Sequence, residues 1–184
     1  MKREMEPVIA SEAKQSRGSG AALEAPGLLR RSAAPLDAAA IVAEARRWIG
    51  TPYVHRGALR GAGCDCLGLV LGVWRELLGP LPAVVPPYAP DWAEAGGGEP
   101  LFAAARRWLV ERPPGEIAPG EVLLFRWRPE VAAKHLAIAT DAGHMVHAHE
   151  GAAVAEVAVS QWRRRLAARF RFPVCANSEI ASSG

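Results

Sequence analysis

Cys66 and the downstream histidines His135, His147 and His149 are the residues whose types and spacing best suit chemistry. Cys66 stands in the run Gly63-Cys64-Asp65-Cys66-Leu67-Gly68-Leu69-Val70, a short polar step leading into an apolar stretch. Asp65 is a good N-cap, because a carboxylate there accepts from free N–H groups of the first helical turn. Cys66 then takes the first helical position, where the positive end of the helix dipole favours thiolate over thiol. Such a sulfur can attack a carbonyl carbon if an imidazole takes the proton and later returns it. Backbone N–H groups at the same helix start are available to the developing oxyanion.

Whether the histidines can serve depends on strand register. Side chains alternate along a strand, so His147 and His149 share a face and His144 takes the other. A three-residue loop of Asp141, Ala142 and Gly143 sets Ala137 opposite His147. His135 then lies diagonal to His147 on the same face, with backbones roughly 7–8 Å apart. This expectation makes His135 the base, paired with the thiolate as imidazolium, and His147 the residue that orients its ring. Catalysis of this kind has a bell-shaped pH profile and needs neither metal nor cofactor. Cys64, Cys66, His135, His147 and His149 are also zinc-ligand types. Against zinc, the cysteines are only one residue apart and Cys66 falls inside a helix. A structural component with a silent site is the remaining alternative.

The elements that must position these residues follow from periodicity. Asp37 caps a helix whose apolar face is Ile41, Ala45, Trp48 and Ile49, ended by Gly50. The cysteine helix, apolar nearly all round, belongs inside the domain; Gly68 and Gly72 allow another layer close to it, and Gly79-Pro80 ends it. Residues 54–63 read as a loop, and 101–111 as a second amphipathic helix. The Pro- and Gly-rich stretch 81–100 reads as a surface excursion, with a helical turn near 91–95, that lines a cleft or docks a partner. Strands are expected at 122–127, 135–139, 144–148, 153–159 and 169–172, with a short basic helix from Ser160 to Ala167. Helices followed by hairpin-connected strands predict an α+β fold with an antiparallel sheet.

Length supports one domain, here 35–175, between a mobile extension at 1–34 and a frayed tail at 176–184. A formal net charge of +3, without a basic patch interleaved with aromatics, argues against nucleic acid. Three cysteines, two of them one residue apart, argue against a disulfide scaffold. No apolar stretch is long enough for membrane insertion, and the first residues lack the apolar region of a secretory signal.

Three blocks resemble the NlpC superfamily of papain-like cysteine peptidases. They are A-R-R-W-I-G-T-P-Y at 45–53, the nucleophile block at 63–70, and His135-Leu136-Ala137-Ile138 followed by His147-Ala148. Pro119-Gly120-Glu121-Val122 is similar to the strand opening of that family. The resemblance spans about 36–174 and implies a papain-like fold with Cys66 as nucleophile, His135 as base and His147 as third polar residue. It also implies a Tyr53 hydroxyl near the oxyanion and Asp65 at the substrate's amino end. Leu67 stands where the family has serine, so one polar substrate contact is missing. The role of His55, where many relatives carry an aromatic residue, is left open. The implied substrate is a peptidoglycan stem peptide, cut between the D-glutamate side-chain carboxyl and the diamino acid. An amidase or acyl transferase with the same thiol chemistry is the alternative. Cys64, Leu67, the V-W-R-E-L run and Arg169-Phe170-Arg171-Phe172-Pro173 are similar to a phage-tail and gene-transfer-agent branch. That branch implies tail-tip or hub proteins as partners, and a particle that carries the enzyme from the bacterial cytoplasm to the cell wall.

Overall fold

The computed structural model describes residues 36–85 and 98–173. The expected N-terminal extension, C-terminal tail and helical turn at 91–95 lie outside the described residues. Three helices pack on one face of a six-stranded antiparallel sheet, the expected α+β arrangement. Helix α1 (Ala38–Arg46) starts on the predicted cap, with Asp37 Oδ1 accepting from Ala39 N at 3.1 Å. Past Arg46 the chain tightens into i→i+3 turns, with Trp48 N donating to Ala45 O and Ile49 N to Arg46 O. This winding keeps Trp48 buried but turns Ile49 out to 45 % exposure, correcting its place on the apolar face.

The loop 54–63 carries a small hairpin that was not expected, β1 (Ala58–Leu59) with β2 (Gly63–Cys64). Helix α2 (Cys66–Leu78) follows. Its two glycines do what their spacing implies: a Cβ on Gly68 would lie 1.8 Å from Gly57 O, and one on Gly72 2.0 Å from the Trp48 ring. The loop before β1 and the turn after α1 therefore reach the helix backbone at positions where only glycine leaves room. Gly79, at φ +87°, ends α2 as expected.

Helix α3 (Pro100–Trp108) is shorter than the predicted 101–111. Val110–Arg112 instead forms β3, an edge strand on β8. All three of its side chains are exposed, so hydrophobic periodicity carries no sign of it; backbone pairing to an open sheet edge holds it there. The remaining strands are β4 (Val122–Phe125), β5 (His135–Ala139), β6 (His144–His147), β7 (Ala155–Ala158) and β8 (Leu166–Arg171), in spatial order β3-β8-β4-β5-β6-β7. The basic helix expected from Ser160 is two 3₁₀ turns, Val159–Gln161 and Arg163–Arg165. Pairing of Leu166 with Phe125 then draws the chain into β8.

The sheet has two buried faces. Leu124, Leu136, Ile138, Val146 and Phe170 meet α1 and α2. Leu123, Phe125, Ala137, Ala139 and Met145 form a second cluster with Val159, Trp162 and Leu166. By alternation His135 and His147 belong to this second face. Among the described residues, no helix is long and apolar enough to cross a membrane.

Candidate active site

The sulfur side is built locally. Asp65 is buried, and its Oδ1 accepts from Gly68 N at 2.8 Å, closing the predicted cap. Its Oδ2 accepts from Arg56 N at 2.7 Å and faces His55 Nδ1 at 3.7 Å. Arg56 alone among the described non-glycine residues has positive φ, +62°, and the Asp65 carboxylate fastens it there. Both oxygens of Asp65 are thus committed inside the protein.

Cys66 opens α2 half-buried, and its thiol donates to Lys134 O at 3.9 Å. The sulfur so reaches the start of β5, at the residue before His135. Among the described residues the thiol makes no hydrogen bond to the His135 ring itself. Cys64, two residues earlier, is fully buried in the core and is a packing residue. Tyr53 bridges Cys64 and sits half-buried, with Asp65 and Cys66 close enough to raise its phenol pKa further after burial has done most of it.

The imidazole side depends on the hairpin, whose register is the predicted one. Ile138 pairs with Val146 and Ala139 with Met145, which continues to Ala137 opposite His147. The Asp141 carboxylate shapes the three-residue loop by accepting from Gly143 N at 2.6 Å and His144 N at 2.8 Å. His135 Nε2 and His147 Nδ1 lie 3.0 Å apart, a hydrogen bond between two buried rings. His149 reaches the same cluster, its ring centroid 5.9 Å from each of the other two, but its Nδ1 bonds Glu150 O. His144 points away and pairs with Asp141. Among the described residues, no group of three or more His, Cys, Asp or Glu side chains is disposed to hold a metal ion.

Burial reverses one expectation. It pushes the Cys66 thiol up to about 12, against the smaller help of backbone N–H groups of Leu136, Leu67 and Cys66. Burial, with His147 and His149 nearby, pushes His135 down to about 3, and burial with His149 takes His147 to about 4. Both shifts disfavour the thiolate and imidazolium expected from the helix dipole. Desolvation outweighs the dipole here.

Two indoles, Trp127 and Trp162, complete the imidazole side and were not anticipated as part of it. Trp127 lies two residues past Phe125, which pairs with His135, so strand alternation could have placed it on the histidine face. Trp162 carries no such signal. On the helix-packed face, a cavity of about 350 Å³ opens beside Leu67 and Leu136, the neighbours of Cys66 and His135. Its lining is mostly apolar and includes residues 81–85 and Pro100, so part of the Pro-rich stretch does line a cleft.

No family model matches the chain. It is 29% identical over 170 residues to a gamma-DL-glutamyl hydrolase of Bacillus subtilis (strain 168), an alignment that covers 90% of this chain and 36% of that relative. Among solved structures, it superposes on the NlpC/p60 domain of the peptidoglycan hydrolase SagA with a TM-score of 0.52 and 25% identity. That match covers 74% of this chain and all of that domain. An NlpC/P60 family protein from Bacillus cereus matches with a TM-score of 0.54 and 17% identity, over 76% of this chain and 41% of that one. The chain is thus similar to NlpC/p60 domains and has their papain-like fold.

Proposed function

We propose that this chain hydrolyses a peptide bond of peptidoglycan, with Cys66 as nucleophile, His135 as base and His147 as the orienting residue. The observation that carries the reading is the convergence of two distant segments: a capped helix delivers the Cys66 sulfur to Lys134 O, and the adjoining His135 is hydrogen-bonded to His147. Catalytic hydrogen bonds commonly tighten only when substrate binds, which suits a thiol resting on a neighbouring carbonyl.

The tautomers follow from the His135–His147 bond. For His135 to accept a proton at Nδ1, its Nε2 must carry hydrogen and donate to His147 Nδ1, leaving the His147 hydrogen on Nε2. The thiol then passes its proton to His135 as sulfur bonds to the scissile carbonyl carbon. His135 returns that proton to the leaving amine as the C–N bond breaks, giving a thioester. A water, deprotonated by His135, attacks the thioester and releases the acid and the thiol. Tyr53 and N–H groups at the start of α2 stabilise the oxyanion in both halves. Asp65 holds the loop beside this site and meets the substrate's amino end through the edge it shares with His55.

The kinship to a gamma-DL-glutamyl hydrolase supports the bond between the D-glutamate side-chain carboxyl and the diamino acid. The phage-tail character of the motif blocks supports delivery by a particle, with tail-tip or hub proteins as partners. Muropeptides digested with wild type and with Cys66→Ala, read by mass spectrometry, test the reading. Wild type should create new free amines at the diamino acid, and Cys66→Ala should be slower by about 10⁴-fold or more. Sugar–peptide cleavage would instead make the chain an amidase, and equal activity of the two proteins would refute thiol catalysis. Mass spectrometry of purified tailed particles should find the chain among their proteins; its absence there refutes that carriage.

A further inference from the structure

The histidines sit against two indoles that no step of the proposed reaction uses. Trp162 comes from the bend between the two 3₁₀ turns, and Trp127 from just beyond β4. The Trp162 ring lies over His135 with centroids 5.0 Å apart and planes 24° from parallel, and it meets His147 nearly edge-on at 5.2 Å. Trp127 stacks on His135 more loosely, at 6.1 Å and 25°, and leans on Trp162 at 5.4 Å. His149 meets Trp162 at 5.8 Å. One side chain, Trp162, therefore touches all three imidazoles.

We propose that Trp162 is a positioning residue for the imidazole pair: it holds the His135 ring at the angle that aims Nε2 at His147, and it keeps water off both rings. The inference rests on the reading of His135 as the base, although its test does not need turnover.

Two effects of an indole on an imidazole oppose each other. Its π-face attracts an imidazolium, by roughly 0.5–2 kcal/mol, whereas exclusion of water disfavours the charged ring by up to several pH units. The groups facing His135 decide between them. His147 and His149 approach from the end of β6, and Lys134 adjoins along the chain, its carbonyl accepting from the Cys66 thiol. The Arg165 guanidinium already lies 4.8 Å from the Trp127 ring centre and 5.6 Å from that of Trp162. A proton on His135 would add a second cation against the same indoles, so water exclusion prevails. The ring stays neutral, which is the state able to accept the thiol proton.

Imidazole titrations of the full chain, followed by NMR, give the test. In Trp162→Ala the His135 midpoint should rise by about one pH unit or more, while Trp162→Phe restores it. On muropeptides, Trp162→Ala should lower kcat with little change in KM, and the alkaline shift of its acid limb should follow the NMR midpoint. Trp162→Leu, which keeps apolar bulk but cannot stack, covers the case in which the alanine variant does not fold; it should shift the midpoint in the same direction by less. A midpoint that stays put, or falls as loss of a cation–π contact would make it, in either folded variant overturns the proposal. Inactivity of wild type with the NMR shifts intact would instead count against the hydrolase reading alone.

Discussion

The two sides of the site are built in opposite ways. The sulfur side is short-range: Asp65 caps the helix that Cys66 opens, and the same carboxylate pins the loop at Arg56. The imidazole side is assembled from β4, β5, β6 and a 3₁₀ bend, and only sheet register and ring packing bring those pieces together. A locally built half fails through lost hydrogen bonds, which show in stability. A half assembled from afar fails through misplaced rings, which show in turnover and titration.

Substitutions can break that contrast. On the sulfur side, Asp65→Ala removes a cap and strands the Arg56 N–H, at a combined cost of about 2–4 kcal/mol in urea melts. Asp65→Asn keeps an oxygen for Gly68 and should recover the cap but not the Arg56 bond. A loss no larger than that of an ordinary surface substitution would show that the loop does not depend on this carboxylate. On the imidazole side, His147→Ala should cost about 10²-fold in kcat/KM, while leaving the alkylation rate of Cys66 almost unchanged. His149→Ala, whose ring lacks the bond to His135, should cost far less. If His149→Ala proves the more damaging, the orienting role belongs to His149.

The same contrast explains what could be read in advance. The cap, the first-position cysteine, the two helix glycines and the glycine stop all lie within one continuous stretch, where local chemistry decides the structure. The hairpin was also legible, because a three-residue loop closed by an aspartate leaves one register that puts His135 and His147 on a shared face. Trp162 was not, since a residue beside three arginines reads as part of a solvated helix until the pairing of β8 with β4 is known. Strand β3 stayed hidden because its side chains are all exposed. The burial that opposes the thiolate stayed hidden for a further reason: a helix dipole can be inferred from a motif, whereas depth of burial cannot.

That burial makes the pH dependence of stability the most discriminating measurement. In the fold, burial, with their neighbouring imidazoles, holds His135 near 3 and His147 near 4; an exposed histidine in the unfolded chain takes its proton near 6.5. Between those values the unfolded chain binds more protons than the folded one, so stability must fall as pH falls. The contribution is fully present above pH 6.5 and drains away toward pH 4 for His147 and pH 3 for His135, at about 1.4 kcal/mol per pH unit for each histidine held neutral. Urea melts from pH 7.5 to 4.5 measure this slope. His147→Asn removes one of the two titrations and should flatten it by about half. A slope unaffected by His147→Asn would mean that the imidazoles titrate alike folded and unfolded. The dry, ring-packed half of the site would then be open to water, and the contrast between the two sides would be lost.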